Sequence, residues 1–112
     1  MQYALAIYAE PGHQEALPDA EREAVYAEYL ALPDDARWVS GVRLEAAETA
    51  TCVRVDGGRT LMTDGPFADT TEVLGGFCLL EADDLDQAID LAARIPAVRF
   101  GGIVEVRPVV QR

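Results

Sequence analysis

The first strand of this chain constrains the fold most. In Tyr3-Ala4-Leu5-Ala6-Ile7-Tyr8 the side chains of Tyr3, Leu5 and Ile7 point to one face, and those of Ala4, Ala6 and Tyr8 to the other. Neither face is polar, so both require cover. A second segment, Leu74 to Ala82, is equally apolar and begins with Gly75-Gly76, where missing side chains allow a bulge or a close backbone approach. A sheet built on such strands cannot leave one side to water at low cost.

The rest of the chain supplies cover for one side only. Val25, Tyr29 and Leu32 recur at helical spacing after Asp19, which is placed to cap that helix, and Pro33-Asp34-Asp35 ends it. Asp84-Leu85-Asp86-Gln87 has capping-box form, with Leu85, Ala88, Ile89, Ala92 and Ile95 predicted as one helical face. Arg94 complements the helix dipole there, and Pro96 stops the helix. Trp38-Val39 and Gly41 indicate a short strand with a bend, and Trp38 reads as a core anchor or a dimer contact. Residues 51–55 and 59–63 alternate on either side of Asp56-Gly57-Gly58, which predicts a hairpin with positive φ angles. The last strand, Ile103 to Val110, carries Val104, Val106 and Val110 on one face and Glu105 and Arg107 on the other.

The order is strand, helix, strand, hairpin, strand, helix, strand. Without the hairpin this is the split βαβ pattern, so the expected class is α+β, a ferredoxin-like sandwich with an inserted β-hairpin. Such a sheet has helices on one face, and a second copy of the chain is the simplest cover for the other. At 112 residues the chain has the size of a single domain, residues 1–112.

Twenty acidic against nine basic residues give a formal charge of −11, so direct nucleic-acid binding would begin from repulsion. The N-terminus lacks a basic leader, and no stretch approaches the roughly 18 apolar residues of a membrane span. The expected location is therefore cytoplasmic, with no membrane partner. Cys52 and Cys78 show no ligand spacing and are expected as reduced thiols on strands, with a disulfide left open. No Ser/His/Asp set, phosphate-cradling loop or metal cluster can be assembled, so no cofactor and no metal is expected.

The least random segment is Thr63-Asp64-Gly65-Pro66-Phe67-Ala68-Asp69-Thr70, followed by Glu72 and Gly75-Gly76. Together with the Tyr3–Tyr8 strand, Thr51–Gly57, Leu74–Phe77, Glu81–Ala88, Ala93–Pro96 and Val104–Pro108, it makes the chain resemble the YCII-related family, in its DGPF branch. The resemblance implies a ferredoxin-like protomer whose sheet packs on a partner's, giving a dimeric α/β barrel. It also implies that an acid–base enzyme with a histidine and aspartate pair is possible. His13, the single histidine, lies in the first loop, ahead of the helix that would carry the family histidine. Some DGPF-type proteins resemble neighbours or fusion partners of extracytoplasmic-function sigma factors, which implies a regulatory module as the alternative.

Asp64 is the candidate catalytic residue. Its carboxylate could cap the turn in which Pro66 pushes Gly65 toward extended geometry, or act as a base beside the apolar wall of Phe67. Arg107 is the candidate anion binder if the pocket lies on its face, with an ion pair to Glu105 as the structural reading; the two sit roughly 7 Å apart along the strand. Arg54 is a second cationic candidate. Tyr8 and Tyr26, with Tyr29, either line a pocket or fill the core. The functional expectation is a cofactor-independent proton-transfer enzyme for a small organic molecule, or a ligand- or protein-binding module.

Overall fold

A computed structural model describes all 112 residues. Strand β1 (Gln2–Ala9) is followed by α1 (Asp19–Ala31), β2 (Trp38–Arg43), β3 (Thr51–Asp56), β4 (Arg59–Asp64), β5 (Val73–Glu81), α2 (Leu85–Ala92) and β6 (Ile103–Pro108). Strands β2, β5, β1 and β6 lie in that order in one sheet, and every neighbouring pair is antiparallel. Two helices and antiparallel sheets make the protein α+β, with a strand order consistent with a ferredoxin-like fold. Strands β3 and β4 pair only with each other and form a separate two-stranded sheet.

The period-two pattern of β1 decides which way the sheet faces. Tyr3 and Leu5 are buried, opposite Leu80 and Cys78 of β5, and join Leu32, Ala88, Leu91, Ala92 and Ile95 in one core. Burying each large side chain contributes about 1.5–3 kcal/mol, which is what holds the helices on this face. Trp38 packs against the core, over Gly41, where a β-carbon would collide with the indole ring. Its role as a core anchor follows from that contact.

The opposite face has no cover from the chain itself. Ala4 pairs with Leu79 and Arg107, Ala6 with Phe77 and Glu105, and Tyr8 with Leu74 and Ile103. Val42 joins them from β2 opposite Phe77, and Val42, Phe77, Leu74 and Ile103 are exposed. In β5 the ladder skips Gly75 between Gly76 and Leu74, which is a bulge, and a β-carbon on Gly76 would stand 2.7 Å from the Val42 carbonyl oxygen. The two glycines therefore serve both uses for which the sequence marks them.

Three local expectations are corrected. Asp19 does not cap α1: Pro18 takes the cap position with no side-chain bond, and the Asp19 carboxylate instead accepts from Arg22 at 2.8 Å. In α2 the buried stripe runs through Ala88, Leu91 and Ala92, while Leu85 and Ile89 are exposed. The helix is short and turns its Leu91 side to the sheet. Gly65 takes φ +94° rather than ordinary extended geometry, a backbone region that disfavours any residue with a β-carbon.

The α2 cap forms as the sequence indicates. Asp84 accepts from the Gln87 backbone N–H at 3.0 Å, although the Gln87 side chain returns to Asp83 rather than to Asp84. Cys78 is buried and Cys52 only half-buried, and both are free thiols. No helix is long and apolar enough to cross a membrane.

The molecule is a plate of 46 × 43 × 19 Å. Its radius of gyration is 15.9 Å, against about 13 Å for a compact domain of this length. The excess reflects the arm formed by β3 and β4, which packs on little of the remaining chain.

Candidate functional site

At the end of the sheet where the arm departs, three segments enclose a cavity of about 510 Å³. That is within the usual range for small-molecule sites. Tyr8, Val73 and Leu74 come from the sheet, Leu44 to Ala50 from the connection between β2 and β3, and Pro66, Phe67, Ala68, Thr70 and Glu72 from the segment between β4 and β5. Backbone bonds hold these walls in place. Leu44 N–H donates to Gly75 C=O at 2.9 Å, and Gly65 N–H donates to Ala50 C=O at 2.8 Å, fastening the two loop walls together. The Cys52 thiol donates to Gly65 C=O at 3.3 Å, tying the same turn to β3.

The lining is mostly apolar, and its only charged residues are Glu45 and Glu72. Glu72 is half-buried and Glu45 exposed. Tyr8, Thr49 and Thr70 add hydroxyl groups, two of them engaged locally: Thr49 donates to Ala46 C=O at 2.7 Å, and Thr70 donates to Glu72 C=O. A cation stands behind one wall, where the Arg54 guanidinium lies 5.6 Å from the centroid of the Phe67 ring.

Of the residues singled out in the sequence, Tyr8 and Phe67 meet in this cavity, with Arg54 beside Phe67. Asp64 ends β4, one residue before the Gly65-Pro66 wall. It pairs with Thr51 in the ladder, is exposed, and is not among the lining residues. Its carboxylate has no hydrogen-bond or ion-pair partner, so the turn is held through the backbone of Gly65 rather than by an aspartate cap. Arg107 lies on the uncovered sheet face, where it donates to Glu105 at 3.0 Å. Tyr26 is exposed on α1. His13 lies in the first loop with its ring 5.7 Å from that of Phe100.

Sequence reasoning passed over the Leu44–Ala50 wall, which has no motif, and gave Glu72 no role, although its place between Thr70 and Leu74 puts it at the pocket. It also missed a polar network at the start of β2. The Asp35 carboxylate accepts from Arg37 Nε at 2.9 Å, from the Arg37 backbone N–H at 2.9 Å and from Arg94 at 2.9 Å. Arg37 also donates to Gln87 C=O at 2.8 Å and pairs with Asp90 at 3.1 Å, locking α2 to the sheet. The Arg37 guanidinium holds the Asp35 carboxyl well below the usual carboxylate range, and Asp35 in turn raises Arg37. A second, wide-open depression next to this network, lined by Arg37, Asp84, Asp86, Gln87 and Asp90, has no apolar wall.

Fold and cavity together define a small α+β domain with a mostly apolar pocket at the end of its sheet. The chain belongs to the YCII-related domain family, whose profile matches residues 1–111. A curated relative, an uncharacterised protein of Rhizobium meliloti (strain 1021), is 42% identical over 67 residues, 59% of this chain and 54% of the relative. The match thus spans about half the length of that relative. Among solved structures, the 5-chloro-2-hydroxyhydroquinone dehydrochlorinase of Burkholderia phenoliruptrix AC1100, in complex with 2,5-dihydroxybenzoquinone, aligns with a TM-score of 0.53 and 21% identity. The alignment covers 94% of this chain and 91% of that one. At that identity the likeness speaks for the fold.

Proposed function

We propose that the protein is a DGPF-type member of its family that binds a small, neutral or cationic ring compound in the Tyr8–Phe67 pocket and carries out proton transfer on it without a cofactor. The observation that carries this reading is the lining itself: apolar walls, and carboxylates as the only charges. An anionic ligand would meet Glu45 and Glu72 with no cation facing it, whereas a neutral hydroxylated ring can stack on the walls and hydrogen-bond to Tyr8 or Glu72. The structural neighbour named above, whose name gives a chlorinated hydroxyhydroquinone as its substrate, is an instance of this fold acting on a hydroxylated ring.

In this reading Glu72 is the carboxylate on the pocket and Asp64 the free carboxylate beside its wall. Either can accept a proton from a ring hydroxyl or ring carbon once a ligand is seated. The exposed apolar sheet face supports a homodimer in which a second copy covers Val42, Phe77 and Ile103. The test uses resorcinol, benzylamine and benzoate as matched neutral, cationic and anionic probes. Resorcinol and benzylamine should raise the melting temperature and benzoate should not. In D2O the protein should speed deuterium exchange at the resorcinol ring carbons, with Glu72→Gln or Asp64→Asn abolishing the effect. Binding without exchange would leave a ligand-binding module, and a preference for benzoate would overturn the reading.

A further inference from the structure

The arm carries its own uncovered face, distinct from that of the main sheet. In the β3–β4 ladder Val53 pairs with Met62, and Val55 with Thr60, on one face; Arg54 pairs with Leu61, and Asp56 with Arg59, on the other. The sorting is by chemistry, with the arm's internal charges on the Arg54 face and only apolar residues and threonines on the other beyond Asp64. Val53, Val55 and Met62 are 61%, 70% and 72% exposed. A two-stranded ribbon is marginal in water by itself. An apolar face on such a ribbon gains nothing from solvent.

We infer that the Val53–Val55–Met62 face of the arm packs on a second copy of this chain, clasping the partner's uncovered sheet face, so that each protomer braces the other's pocket wall. The inference rests on the homodimer proposed above and adds a second contact to it. Charge favours a second copy over an unrelated partner. The chain carries −11 overall, so two copies repel across most of their surfaces. The uncovered sheet face is the exception, because Glu105 and Arg107 neutralise each other there at 3.0 Å, Glu81 is paired with the Met1 amine at 2.7 Å, and Val42, Leu74, Phe77 and Ile103 stand exposed beside the uncharged Gln2 and Ser40. The arm's outer face likewise bears Asp64 alone, at its base. A basic partner would seek the acidic surfaces and leave both of these faces bare. Two apolar faces of nearly balanced charge on one flat chain complete each other by two-fold symmetry.

The contact also reaches the site. Arg54, on the arm's other face, lies over Phe67, so an arm immobilised by the partner holds the Phe67 wall of its own pocket.

The experiment is light scattering and sedimentation on the full chain. Wild type should be a dimer at micromolar concentration. Met62→Asp and Val53→Asp should weaken it by about 100-fold or more, as expected for a charge placed in an interface core. Leu61→Asp, the same change one residue away on the opposite face, should remain dimeric, with circular dichroism confirming that each variant folds. In wild type, amide exchange in β3 and β4 should slow as protein concentration rises through the dimer range, a readout that needs no variant. If Met62→Asp stays dimeric while Phe77→Asp dissociates, the arm contact is overturned and the sheet-face dimer stands. Equal loss from Leu61→Asp and Met62→Asp also overturns the arm contact, and a monomeric wild type overturns both.

Discussion

Arg54 stacks over Phe67 with its guanidinium carbon 5.6 Å from the ring centroid, joining the arm to the wall of the pocket. Phe67 is 79% exposed, so this contact and its neighbours Pro66 and Ala68 are what position the ring. An exposed pair of this kind is worth about 0.5–1 kcal/mol. Arg54→Ala should therefore change global stability by no more than about 1 kcal/mol in urea titration, yet weaken resorcinol binding several-fold in calorimetry. Unchanged binding would show that the arm does not position the wall.

Gly65 is the second support of that wall. Its φ of +94° strains any L residue, and a β-carbon there would meet open space, so backbone strain is the whole effect. Gly65→Ala should destabilise the protein by roughly 1–3 kcal/mol. Chemical denaturation measures it, and a neutral result would mean that the turn relaxes freely.

The Asp35 network makes a pH prediction. The Arg37 guanidinium holds the Asp35 carboxyl below its ordinary value of 3.8, so its contribution is fully present above that value and is lost as the pH falls below it. Asp35→Asn should cost roughly 1–3 kcal/mol at pH 7, the scale of hydrogen bonds to charged groups. The gap from wild type should narrow on acidification below about pH 4, where the carboxyl of the unfolded chain begins to take up a proton while the folded one stays charged. Denaturation curves at pH 7 and pH 3 check this, and a gap independent of pH would contradict it.

Burial pushes the Cys78 thiol up to about 11, and its side chain is shielded in the core. At pH 8 iodoacetamide should modify the half-buried Cys52 first and reach Cys78 only after unfolding, because the thiolate is the reactive form. Mass spectrometry of the native protein should find one modification per chain at most.

What was legible in the sequence is what local spacing controls. The period of two in β1 separates Tyr3 and Leu5, which are buried, from Ala4 and Ala6 on the other face. Asp84 and Gln87 announce the start of α2, and Gly75-Gly76 announces a bulge. The misreadings come from tertiary choices that spacing does not encode. Leu85 and Ile89 fit a helical stripe, but the sheet receives Leu91 instead. Asp35 and Arg94 are 59 residues apart and meet only because α2 docks beside β2. In the site, Tyr8 and Phe67 stand out in the sequence as aromatic candidates, whereas the Leu44–Ala50 wall that completes the cavity has no distinguishing chemistry of its own. Arg107 shares its strand face with Tyr8 and Leu74 of the cavity, but the register sets it opposite Ala4, four residues along β1 from Tyr8, and so outside the lining.

The central claim is that the Tyr8–Phe67 cavity takes neutral or cationic rings and excludes anions. Protein-observed NMR with resorcinol, benzylamine and benzoate tests it most directly. The first two should shift the amides of Tyr8, Ala47, Ala50, Ala68 and Leu74, while benzoate at the same concentration leaves them in place. Shifts that cluster at Arg107 or at Arg37, or benzoate binding at Tyr8 and Ala68, would contradict it.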